Sequence, residues 1–135
     1  MSPNNTRLKI KQIEVIPEAG SRYRVRVTLT SKDQDFVGER SGGGDENERL
    51  TTAALATLDA ITSALVKPVT LTLKGINGDE VFEELSETLL IVAVIIDDGK
   101  TEMVMPGSCR ITGDKVEAAI KATLDATNRV TELFL

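Results

Sequence analysis

Histidine and tryptophan are absent from this chain, and cysteine occurs once. Without histidine the commonest general base and metal ligand is missing, so Ser-His-Asp, Cys-His and zinc-type sites are excluded together. One thiol, Cys109, makes no intrachain disulfide. Aromatic residues are also scarce, at 3%, which leaves few stacking platforms for bases or sugars and a core to be filled by Leu, Ile, Val and Ala. The formal charge of -5 runs against a nucleic-acid binder, whose affinity comes from clustered cations. The longest apolar run, Leu89 to Ile96, is far short of the roughly 20 residues of a membrane helix. The opening MSPNNTRLKIK carries no apolar leader core. These absences lead to the expectation of a cytoplasmic protein with no cofactor, no metal site, no membrane span and no nucleic-acid partner.

What is present is periodicity. RLKIKQIEVI (7–16) alternates, and RYRVRVTLT (22–30) does so strictly, with Tyr23, Val25, Val27 and Leu29 on one face. PEAGS between them reads as a tight antiparallel connection. DFVGER (35–40) reads as a shorter third strand, ended by Gly42 to Gly44. Asp45 and Glu48 have the spacing of a helix-capping pair, and Leu50, Ala54, Leu58, Ile61 and Leu65 form a helical stripe stopped by Pro68.

The order then repeats: VTLTLKGI from Val69, TLLIVAVII from Thr88, the turn Asp97-Asp98-Gly99, TEMVM from Thr101, and a helix after Gly113. A shift of 66 lays Ala56-Thr57-Leu58-Asp59-Ala60 on the identical Ala122-Thr123-Leu124-Asp125-Ala126. It also lays Val25, Val27 and Leu29 on Ile91, Ala93 and Ile95. The expected fold is α+β: one domain over 1–135, internally duplicated as strand-strand-strand-helix units (about 7–66 and 69–135), its antiparallel sheets carrying the two helices on one face. Two repeats are too few for a solenoid.

Under that shift the halves differ in one respect. Opposite its apolar face the first half carries Arg22, Arg24, Arg26, Thr28 and Thr30, whereas the second carries Thr88, Leu90, Val92, Val94 and Ile96. A strand apolar on both faces needs a second cover. Leu90, Val92, Val94 and Ile96 are therefore the candidate interface or pocket. The other half of the chain or the segment Asn77 to Glu87 is one possible cover, and a twofold partner or a ligand is the other.

The remaining chemistry is thin. Asp59 and Asp125 occupy equivalent helix positions, as a carboxylate pair about a pseudo-twofold axis would, or as two residues on wet faces. An enzyme would have to use Asp59, Asp125, or Cys109 with Arg110; no residue is assigned a catalytic role. SGGGD before a helix suggests an anion loop, but it lacks the Lys-Ser/Thr of a phosphate loop and carries carboxylates. The acidic clusters have no calcium-loop spacing and fit solvated turns.

The layout, with Val37-Gly38-Glu39, Gly42 to Gly44, Ala53-Ala54 and Ala60-Ile61 in one half and Gly107, Ala118-Ala119-Ile120 and Ala126 in the other, resembles the C-terminal regulatory domain of 2-isopropylmalate synthase. The resemblance implies a duplicated βββα module that binds an amino-acid effector at a dimer interface, although that family's Gly-Pro-Val-Asp turn is missing here. The functional expectation is a non-enzymatic homodimeric module for a small effector or a protein partner, using either the second-half apolar face or the cleft between halves. A ligand-free scaffold is the alternative.

Overall fold

The computed structural model describes residues 7–82 and 87–131. Its elements follow in the order β1 (Lys9–Glu18), β2 (Arg22–Ser31), β3 (Gln34–Gly43), α1 (Glu46–Ala64), β4 (Thr70–Phe82), β5 (Glu87–Asp97), β6 (Glu102–Arg110) and α2 (Lys115–Thr131). β1-β2-β3 form one antiparallel sheet, here sheet A, and β4-β5-β6 a second, sheet B. The α+β class and the repeated βββα unit are both present.

Local chemistry accounts for the boundaries. Asp45 has extended backbone and its Oδ1 accepts the Glu48 N–H at 2.8 Å, so the expected N-cap is in place. The Glu48 carboxylate lies against Gly43 of β3. Two acidic carboxyls share that cap, which lowers Asp45 and raises Glu48 relative to ordinary carboxylates, each through the other's side chain first. Asp98 shapes the β5–β6 hairpin by accepting the amides of Lys100 and Thr101 at 2.9 and 2.8 Å, beside Gly99 at φ 92°. The β2–β3 hairpin instead turns on Lys32 (φ 50°) and Asp33 (φ 65°), two side-chain-bearing residues in left-handed backbone.

Gly42 and Gly43 do not end β3; they pair with Tyr23 and Arg22. They are glycine because α1 lies on them: a Cβ at Gly42 would strike the Thr52 side chain, and one at Gly43 the Glu48 carboxylate. The same reasoning covers Gly38, where a Cβ would meet Ala56 O and Ala60 N, and Gly107, where it would meet Ala122 O and Ala126 N. Each helix thus crosses the third strand of its own unit with backbone nearly on backbone. β6 likewise runs past Met105 through Pro106 and Gly107.

α1 packs on β2 and β3, on α2, and on β4 of the other sheet; α2 packs on β5, β6 and α1. Such enclosure explains why α1 buries far more than the Leu50, Ala54, Leu58 and Ile61 stripe: Thr52, Ala53, Ala56, Thr57 and Ala60 are buried as well. Buried threonines keep their hydroxyls satisfied on the preceding turn, Thr57 to Ala53 O at 2.7 Å and the equivalent Thr123 to Ala119 O at 2.8 Å.

The core is one cluster drawn from both halves, including Val25, Val27 and Leu29 of β2, Leu50 and Ile61 of α1, Leu90, Val92, Val94 and Ile96 of β5, and Ile120 and Leu124 of α2.

Candidate functional site

Gly38 is the register partner of Val27, and Gly107 is the register partner of Val92. Because those two glycines sit under equivalent helix turns, Val27 and Val92 are structural equivalents. They are 65 positions apart, whereas Ala56 and Ala122 are 66 apart. The ungapped shift of 66 is therefore right for the helices and one residue out for the central strands. A one-residue slip exchanges the two faces of a strand, so Leu90, Val92 and Val94, rather than Ile91, Ala93 and Ile95, match Val25, Val27 and Leu29.

The consequence is a correction to the expected site. Leu90, Val92, Val94 and Ile96 are at most 3% exposed and lie in the core, with α2 packed on β5 and Leu50 of α1 beside Leu90 at Gly78. Their cover is the chain itself, so they offer no surface to a ligand or a second copy. Of the segment Asn77 to Glu87, residues 77–82 extend β4 and 83–86 lie outside the described residues.

The asymmetry between halves survives, on the opposite face. Outward on sheet A are Arg24 and Arg26, tied to Glu18 at 2.7 Å, to Glu39 at 3.1 and 3.0 Å, and to Glu14 at 3.5 Å, with Lys11 on Asp35 nearby at 2.6 Å. Outward on sheet B are Leu89, Ile91, Ala93 and Ile95 of β5, flanked on β6 by Val104, Pro106 and Ser108 and on β4 by Thr72 and Asn77. The two central strands are half-buried alike on this side, and Val104 is 48% exposed. Equal exposure with opposite chemistry marks the outer face of sheet B as the candidate interaction surface.

Its edges are irregular and so poorly suited to strand pairing. Pro106, midway along β6, has no N–H, and the next outward amide, that of Ser108, donates to Asp125 Oδ2 at 3.0 Å. β4 carries register shifts between Leu73 and Gly75 and between Asn77 and Glu80, which disrupt its ladder.

The aspartate pair is not brought together as a site. Asp59 makes a fork to Arg40 on β3, at 2.6 and 3.1 Å, and Asp125 holds the Ser108 amide on β6. Each ties its helix to its own third strand. Cys109 has its thiol pushed up by burial, with Lys121 opposing and Glu117 and Asp125 reinforcing, so it is a poor nucleophile. The hollow beside it, about 160 Å³ between β6 and the start of α2, is lined by charges of both signs, Arg110 and Lys121 with Asp114 and Glu117.

The two halves do meet at a cleft, although its lining residues were not singled out by the sequence. The N-termini of α1 and α2 converge on a hollow of about 250 Å³ between Glu46, Arg49, Leu50, Asp114, Lys115 and Val116. Arg49 stacks 5.0 Å above Tyr23, and Lys115 pairs with Glu46 at 3.3 Å. Carboxylates of Glu46 and Asp114 offset both cations. Among the described residues no three acidic or thiol side chains converge as a metal site would need, and no helix is long and apolar enough to cross a membrane. The sequence matches no protein-family profile and no curated protein.

Proposed function

We propose that this protein is a non-catalytic association module that works through the outer face of sheet B. The observation that carries the reading is the contrast between two equivalent sheet faces of one chain, one laced with Arg–Glu pairs and the other built from Leu89, Ile91, Ala93, Ile95, Val104 and Pro106. An apolar strand face of this kind, half-buried along β5 and exposed at Val104, marks a contact with another macromolecule. The chemical inventory agrees: the carboxylates that could serve an acid–base site are spent on strand and turn contacts, and the single thiol is held protonated. Resemblance to a regulatory module of a synthase points in the same direction, toward association.

A small anionic effector would be drawn to the cleft between the helix N-termini, where Arg49 and Lys115 stand. There Glu46 and Asp114 work against any anion that Arg49, Lys115 and the two helix ends attract, so the sheet face is the stronger reading.

A fluorescent hydrophobic dye tests the face directly. In dilute solution the wild-type chain should enhance the dye's emission and an Ile91→Arg/Ile95→Arg variant should not, while Arg24→Ala on sheet A leaves the signal unchanged. Dye exclusion by a wild-type chain shown to be monomeric would overturn the reading.

A further inference from the structure

The outer face of sheet B has a shape and charge order that select one kind of partner. We infer that its occupant is a second copy of this chain, stacked face to face about a twofold axis perpendicular to the strands; this rests on the association reading above.

Edge addition is disfavoured first. Pro106 and the occupied Ser108 amide interrupt the free edge of β6, and two register shifts interrupt β4, so an added strand would meet a broken ladder on either side. The face itself remains, and stacked sheets meet about 10 Å apart through their side chains.

Size comes next. β6 is the shortest of the three strands, with nine residues, so the common face is about 30 Å long and about 14 Å wide, on the order of 600 Å² of accessible surface once side-chain relief is counted. Two copies would bury about 1,200 Å² in total, the lower end of specific interfaces and enough for a reversible dimer of about micromolar affinity.

Charge then fixes the orientation. The outward residues of β6 run from Glu102 at one end, through Val104, Pro106 and Ser108, to Arg110 at the other, and Glu102 pairs in register with Asp97 of β5. Arg110 is well exposed even while bound to Glu87 at 3.0 Å. A twofold along the strands would set Asp97 against the partner's Asp97 and lay β6 on the partner's β4, so that Glu102 and Arg110 would not meet. A twofold across the strands reverses β6 on its own copy, bringing Glu102 of each chain to the partner's Arg110 end. The axis then passes near Ala93 and its register partner Pro106, where small side chains allow the sheets to approach.

Sedimentation velocity on the full chain, from about 1 to about 200 μM, tests this across the affinity such a contact supports. Twice the monomer mass is expected, and Ile91→Arg should leave a folded monomer, with its far-UV circular dichroism and melting curve as the folding control. Glu102→Arg and Arg110→Glu should each raise Kd about tenfold, and the double exchange should recover most of that loss, because Glu87 is common to every corner of the cycle. A wild-type chain that stays monomeric to the top of the range overturns the second-copy inference. The dye result then separates the two readings: emission that depends on Ile91 keeps the face as a docking surface for a different partner, and its absence removes both. A dimer unaffected by Ile91→Arg and Ile95→Arg, or a double exchange no better than the sum of the single ones, also overturns it.

Discussion

At single positions, the two crossings at Gly38 and Gly107 leave no room for a side chain. A methyl at either one would collide with the backbone of the helix above it, at Ala56 and Ala60 or at Ala122 and Ala126. That contact has no flexible end to yield, so the helix itself must lift. Gly38→Ala and Gly107→Ala should each cost about 3 kcal/mol, read as a lower urea midpoint with unchanged slope. Cys109 gives the opposite kind of expectation, of little reactivity. Its thiol is raised by burial first, with Glu117 and Asp125 adding to the effect of burial, so at neutral pH it should react with iodoacetamide more slowly than free cysteine does; a faster rate would contradict the assignment. Asp59 and Asp125 show how far residue identity alone misleads. They are equivalent by sequence, yet one holds an arginine side chain and the other a backbone amide. The exposed Asp59–Arg40 fork is worth less than about 1 kcal/mol.

Elements differ in how completely their boundaries are written locally. α1 begins where Asp45 caps it and ends at Ala64, with Leu65 bonding back to Thr62 O ahead of Pro68, as the cap and the proline dictate. β3 and β6 were legible only in part, because glycine and proline read as breakers when their neighbours are unknown. Gly42 and Gly43 continue a strand since a helix lies on them, and Pro106 is tolerated since β6 is an edge. The β2–β3 hairpin has the least suitable local chemistry: Lys32 and Asp33 both occupy left-handed backbone. Replacing the pair with Asn-Gly should raise stability by about 1 kcal/mol, measured as a higher melting temperature with unchanged circular dichroism.

On the scale of the molecule, carboxylates of both halves tie stability to acid pH. Glu18 is lowered by its hydrogen bond to Ser41 first and by Arg24, Asp35 by Lys11, and Asp98 by the amides of Thr101 and Lys100. A carboxyl lowered in the folded state stabilises it at pH values above the ordinary carboxylate pKa and loses that contribution as pH falls through the lowered value. Glu48, raised beside Asp45, acts in the reverse sense. With Asp45 also lowered beside Glu48, four lowered groups against one raised one predict a urea midpoint that is flat near neutrality and declines below about pH 4. A midpoint that rises on acidification would contradict it.

The sequence by itself determined the order of elements, the duplication, the helix that starts at Asp45, and the fact that the second central strand is apolar on both sides. Those properties follow from local periodicity, capping and composition, which act over a few residues. It could not determine which side of β5 faces the helices. That depends on a one-residue difference between strand spacing and helix spacing in the two halves, and only the packing of Gly38 and Gly107 under their helices reveals it. Tertiary structure therefore exchanged Leu90, Val92, Val94 and Ile96 for Leu89, Ile91, Ala93 and Ile95 as the surface that remains to be covered, because in a strand a slip of one position turns the core face outward.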